Sequence, residues 1–356
     1  MKKILATVLA LVMALALCTT SWADGEATVN SKEELEQALN DSSVTTIKLG
    51  ANITASITIA AGKDVTLNLN GYTLTNTDGQ HTITNNGTLT ITGTGTVDNV
   101  SHARAALFNN EGATAVLNGG SFTRSQENGK TKEDSGNNSF YTIQNLGTMT
   151  INDGVLVKQG GGFSSMVANG YYDGTNKTNT PTLIINGGKF IGGLNTIKND
   201  DCGKLTINNG VFENVEQHAV FNVNEAEIKG GTYAMDGNDS VLYNRKYNDT
   251  NDKGLLTVEG GTFTAKDGVP AIKVYDVNSK PTVTGGAFSS DVSAYAGSNA
   301  VASLKNVYYV GTDSIEAAVN SMNGGDTLTV IQGSVKVGNT EYGVNQTYTK
   351  PTSYYY

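Results

Sequence analysis

Leu183-Ile-Ile-Asn-Gly-Gly-Lys-Phe190 decides how this 356-residue chain folds, because the phrase keeps returning. It consists of an alternating apolar run, an Asn, a Gly-Gly pair and an aromatic residue. Leu205-Thr-Ile-Asn-Asn-Gly-Val-Phe212 is a near copy, and Ala226 to Tyr233, Leu256 to Phe263 and Pro281 to Phe288 keep the Gly-Gly intact. Looser copies begin at Leu67, Leu89, Ala115 and Met149. Successive starts lie 22, 26, 34, 34, 22, 21, 30 and 25 residues apart, a floor near 21 with variable excess. A fixed unit that tolerates insertions at this period is the mark of a solenoid.

Each unit carries two legible strands. In the Leu-Thr-Ile run the period-2 alternation turns Leu and Ile inward and Thr outward. Asn-Gly-Gly then supplies a corner, because Gly and Asn accept left-handed backbone angles cheaply. The aromatic residue after it points inward again. A second strand lies upstream and ends in Asn: Asn85, Asn109, Asn145, Asn169, Asn199, Asn222 and Asn244 hold that place in seven successive units, and Val274 breaks the series. Stacked at about 4.8 Å, the spacing of adjacent strands, these side chains are expected to form a buried hydrogen-bonded ladder.

Three strands per rung, an Asn ladder and columns of Leu, Ile and Phe resemble the right-handed parallel β-helix of the pectate-lyase-like superfamily, over roughly Ile47 to Phe288. More narrowly, the chain is similar to repeat-rich bacterial β-helix proteins of the secreted or cell-surface, adhesin-like type. Ser31-Lys-Glu-Glu-Leu-Glu-Gln-Ala-Leu39, Asp64-Val-Thr-Leu-Asn-Leu-Asn-Gly71 and Gly285-Gly-Ala-Phe-Ser-Ser-Asp-Val292 carry that likeness. The expected fold is therefore all-β, a coil over 47–306 with covered ends. Ser31 and Glu34 form a capping-box pattern for a helix with Leu35, Ala38 and Leu39 on one face, within an N-terminal capping segment 24–46. Ser314 to Met322 followed by Gly324 to Ile331 predicts a small α+β cap or module over 307–349, with a flexible tail at 350–356.

Lys2 and Lys3, the apolar stretch Ile4 to Leu17 and Ser21-Trp22-Ala23 predict a secretory signal at 1–23, hence a secreted or cell-surface protein. Removing Lys2 and Lys3 takes the net charge from -9 to -11. With three arginines in all, Arg104, Arg124 and Arg245, a nucleic-acid partner is excluded, since phosphate binding needs a basic surface. Cleavage would also remove Cys18 and leave Cys202 alone, so no intrachain disulfide is expected. No later segment has the roughly 18 apolar residues of a membrane span. The expected state is a monomer.

Function should lie in what the repeat does not explain, namely the insertions at 123–139, 170–181 and 245–254. Tyr171 and Tyr172, with Asp173 beside them, form the aromatic pair most suited to stacking on sugar. Lys198-Asn-Asp-Asp-Cys202, His218 and Arg245-Lys246 loosely resemble the acid pair, histidine and basic pair of the polygalacturonase family. Catalysis there needs two carboxylates roughly 5–10 Å apart across the bond. The register opposes such a site. Asp200 directly follows a ladder Asn while His218 precedes one by four residues, so the two lie about 16 Å apart along a strand. Arg245 shares the Asp200 column two rungs later, about 10 Å along the axis. Asp200, Asp201, His218 and Arg245 are thus weak catalytic candidates.

No cofactor is expected, Ca²⁺ being the one ion that Asp153, Asp173, Asp200 and Asp201 could hold in loops. His81 and His102 lack metal-ligand spacing. The outward Thr90, Thr150, Thr206, Thr257 and Thr282 superficially resemble an ice-binding array, but Val116, Ile184 and Glu227 interrupt it, and Thr is common on exposed strands. The expected function is non-catalytic binding of an extracellular glycan or a host or cell-surface protein. A polysaccharide lyase or glycoside hydrolase acting on acidic polysaccharide is the alternative. Acids gathered with Lys or Arg in one groove would favour the enzyme.

Overall fold

The computed structural model describes residues 25–101, 103–125, 140–160, 164–246, 252–275 and 277–352. The expected signal at 1–23, His102 and parts of the insertions at 123–139 and 245–254 lie outside the described residues. Within them the chain winds into a parallel β-helix of three sheets, as its repeat requires. The first sheet stacks eleven strands from Glu26–Val29 to Thr282–Val283. The second runs from Ile53–Thr54 to Gly286–Phe288 and continues into a C-terminal module. The third, here called the ladder sheet, stacks nine strands from Ile57–Ile59 to Ile272–Val274.

Register follows the sequence phrase. Ile151, Ile185, Ile207, Ile228 and Val258 pair in one inward column of the first sheet, all fully buried. The outward column of the same strands is Thr90, Val116, Thr150, Ile184, Thr206, Glu227, Thr257 and Thr282. After the corner, Phe190, Phe212, Tyr233, Phe263 and Phe288 stack inside with near-parallel rings, centroids 4.6–4.9 Å apart and planes within 10°. The two glycines of the corner have separate reasons to be there. A Cβ on Gly230 would lie 2.6 Å from the Asn208 carbonyl of the rung below. Gly231 has φ +102°, and a Cβ there would meet the Tyr233 ring and the Gly210 carbonyl. Neither place takes a side chain without strain.

The expected Asn ladder is present along its whole length. Each Nδ2 from Asn85 to Asn222 donates to the Oδ1 of the next Asn at 2.7–2.8 Å, ending on Asn244. The same nitrogens also reach carbonyls of the first sheet, as Asn169 does to Lys204 O at 3.0 Å. Every member is fully buried. At Val274 the series stops, and Asn244 turns instead to Ser279 O. A second ladder was hidden in the corners. Asn118, Asn152, Asn186 and Asn208 bond in sequence at 2.7–2.8 Å, this time exposed to solvent.

Both ends are covered. Helix Lys32–Asn40 is capped by Ser31 Oγ, which accepts the Glu34 N–H at 3.2 Å, while Glu34 reaches back to the Asn30 N–H at 2.7 Å. Leu35 and Ala38 enter the main core, with Leu39 packed partly against it. At the other end Gly286–Phe288 pairs antiparallel with Val307–Val310, which pairs with Val301–Leu304 and so on to Thr327–Gln332 and Thr347–Thr349. Helix Thr312–Ser321 places Ile315 and Ala318 in a small second core with Leu304, Leu328 and Val330. The C-terminal module is therefore joined to the coil by backbone hydrogen bonds. No helix among the described residues is long and apolar enough to cross a membrane.

Candidate functional site

Outward positions of the ladder sheet are set by the ladder itself. Because Asn points inward, the residue before it must point outward. Phe108, Gln144, Ala168, Lys198, Phe221, Tyr243 and Lys273 consequently form one outer column, paired rung by rung. Lys198 Nζ lies 5.7 Å from the Tyr172 ring centroid and 5.9 Å from that of Phe221, within cation–π range. It is 2.5 Å from Asp200 Oδ2. Lys273 stands 5.6 Å from the Tyr243 ring and 3.0 Å from Asp239 Oδ1. The result is a face of aromatic rings interleaved with ion pairs.

The 170–181 insertion folds onto this face. Tyr171 and Asp201 exchange backbone hydrogen bonds at 3.0 and 3.1 Å, and Asp201 Oδ2 accepts the Gly174 N–H at 2.9 Å. Extended backbone turns neighbouring side chains to opposite sides, and the tyrosine pair is split accordingly. Tyr171 is buried beneath Lys177, whose Nζ lies 4.7 Å from its ring centroid; its hydroxyl takes a 3.2 Å bond from Asn179, and burial pushes its phenol up to about 12. Tyr172 is 79% exposed. Asp173 closes a local turn by accepting the Thr175 N–H at 2.9 Å, and hydrogen bonds to Thr175 hold its carboxyl below the usual range.

The catalytic candidates have contacts leading to different partners. Burial raises the Asp200 carboxyl, against the pull of Lys198. Arg245 stacks on Tyr275 at 4.2 Å. His218 is buried, and its Nδ1 lies 3.0 Å from Ser240 O and 3.1 Å from Ser240 Oγ. Its Nε2 is 3.8 Å from Asp239 Oδ2. Serine, histidine and aspartate therefore do meet here, brought together by one turn of the coil, although no sequence motif announces them. The geometry does not activate the serine. An Nδ1–H donating to the Ser240 carbonyl cannot accept the Ser240 hydroxyl proton, and Ser240 is fully buried. Among the described residues no three His, Cys, Asp or Glu gather as a metal site.

His81, just ahead of the ladder-sheet strand Ile83–Asn85, and His218 make stability pH-dependent. His81 packs on Phe108 and Phe140, accepts the Ala105 N–H at Nδ1 (2.8 Å), and is held down to about 4 by burial, Arg104 and Arg124. His218 is lowered too, first by burial, against the raising effects of Ser240 and Asp239. Each stays neutral in the fold where the unfolded chain would take up a proton. Their contribution is thus complete above the unfolded value of 6.5 and is lost as pH falls below it, for His81 toward about 4. Discounted for its partial exposure, His81 should account for about 1 kcal/mol lost between about pH 7 and about pH 5. Urea unfolding at both pH values checks this, and unchanged or rising stability at the lower pH refutes it.

A concave feature lies on the outside of the second sheet, where Lys158, Ile191, Glu213 and Ala234 pair in one column. They line a groove of about 420 Å³, with Val215, Glu216 and Asp236 on its rim and side-chain-free Gly192 and Gly193 beside it. Glu213 is paired with Lys189 at 2.8 Å. Sequence reading passed over this groove and the Lys198 column alike. The signal for the column was present: it is the middle residue of each Ile/Leu/Val-x-Asn triplet, and of Ile272-Lys-Val274 after them. No protein-family model, curated protein or solved structure matches the chain.

Proposed function

We propose that the chain is a secreted or cell-surface scaffold of the adhesin-like, pectate-lyase-like β-helix type, binding glycan without turning it over. What supports this reading is the outer face of the ladder sheet. There exposed Tyr172 and buried Phe221 flank Lys198, with Tyr243 and Lys273 continuing the column over the next rungs. Rings offer an apolar surface to the C–H faces of a sugar, and ion-paired side chains offer fixed donors and acceptors to its hydroxyls. A rigid coil holds these groups in place, so little ordering is needed on binding.

One observation favours the enzymatic alternative. Glu213, Glu216, Asp236 and Lys158 line a single groove on the second sheet, and two carboxylates across a bond are what glycoside hydrolysis uses. Glycan-array binding measured alongside release of reducing ends and of unsaturated uronates separates the readings. Binding without product is the expected result. Product that survives purification and disappears in Glu216→Gln or Asp236→Asn would replace the binding proposal with the enzyme.

A further inference from the structure

We infer that the ladder-sheet face selects neutral sugar polymers over uronate or sulfated ones, an inference that rests on the glycan-binding reading and sharpens it. The decisive observation is that the lysines of the outer column are already neutralised. Lys198 is held by Asp200 at 2.5 Å and Lys273 by Asp239 at 3.0 Å. Asp200 is almost wholly buried, so a ligand anion reaching Lys198 would leave that carboxylate without its counter-charge. Stripping one partner from a buried pair is strongly unfavourable, because it leaves an uncompensated buried charge. The chain's net charge of -9 adds a general repulsion of polyanions.

What the face offers instead is an uncharged ring surface, which suits the C–H faces of a sugar and asks for no charge. Tyr172, exposed above Lys198, is the ring that such a ligand can reach.

The test measures binding of purified protein to neutral polymers (β-glucan, galactan, mannan) and to polygalacturonate and chondroitin sulfate. Each is assayed at about 0.01 M and about 1 M salt, where screening lengths differ tenfold. Binding to a neutral polymer should change less than about twofold with salt, and Tyr172→Ala should weaken it at least about tenfold. The thermal midpoint of that variant should not move, because Tyr172 is a surface residue. Salt-sensitive binding confined to the charged polymers overturns the neutral-sugar inference and leaves glycan binding standing. Neutral binding that is indifferent to Tyr172→Ala removes the ladder-sheet face as its site. Absence of binding to every polymer overturns both proposals.

Discussion

Asn169→Ala should lower the unfolding free energy by about 4 kcal/mol, whereas Asn152→Ala, one of the exposed corner asparagines, should lower it by less than about 1 kcal/mol. Asn169 Nδ2 donates to Asn199 Oδ1 at 2.8 Å, Lys204 O at 3.0 Å and Pro181 O at 3.3 Å, and its Oδ1 accepts from Asn145 at 2.8 Å. All of this happens in a fully buried column where water cannot replace a lost partner. Each buried polar group left unsatisfied costs about 1–3 kcal/mol, and truncation strands the Asn199 amide oxygen and removes a donor from the Lys204 carbonyl. Asn152 makes the same kind of bond at 2.7 Å, but water competes for it throughout. Asn169→Asp should be no milder than Ala at neutral pH, since a carboxylate cannot donate to Asn199. Urea unfolding of the three variants decides the matter. Equal, small losses for Asn169→Ala and Asn152→Ala would show that the buried ladder decorates the coil without holding it together.

The contrast between these two asparagine columns also explains how far the sequence could be read. Asn169 has counterparts at one fixed distance from an Ile, Leu or Val, so its column emerges from the spacing of a single residue type. Asn152 stands before a corner, where Asn is already accounted for by turn chemistry, and nothing local says that its amide finds the neighbouring rung. The C-terminal module is a similar case. Its helix and alternating strands are visible, but antiparallel pairing of Gly286–Phe288 with Val307–Val310 depends on how the chain reverses at 289–300. Among site residues, Tyr171 and Tyr172 look equivalent in the chain. They part only because the backbone bridge to Asp201 fixes which one faces inward. Ser240 lies 22 residues from His218, one rung away, and no motif connects them. Arg124 counts as a surface charge by composition yet is 1% exposed, at the end of a second-sheet strand where Asn99 and Gln159 are buried too. Columns are legible when one residue type repeats. Sites are made where columns of unlike residues meet.

Phe212→Ala should cost about 4 kcal/mol, the range for removing a buried phenylalanine with partial collapse of the cavity. Phe212 is fully buried between Phe190 at 4.9 Å and Tyr233 at 4.6 Å, nearly parallel to both. A stacked aromatic pair gains about 0.5–1.5 kcal/mol beyond its area burial, well below the cost of losing a buried ring. Here the rung spacing of about 4.8 Å imposes the stacking. Most of the stabilisation should therefore come from burial and shape, and little from ring–ring attraction. Phe212→Leu, which keeps much of the volume, is expected to cost about 1.5 kcal/mol or less. Tyr233→Phe should cost about 1 kcal/mol, because it deletes only the hydroxyl bond to Gly230 O at 2.8 Å. A double-mutant cycle between Phe212→Leu and Tyr233→Leu isolates the pair, and its coupling should fall below about 1 kcal/mol. A coupling well above that value would make the stack an attractive element in its own right. In that event the Gly-Gly corner would be retained chiefly to hold the rings in line.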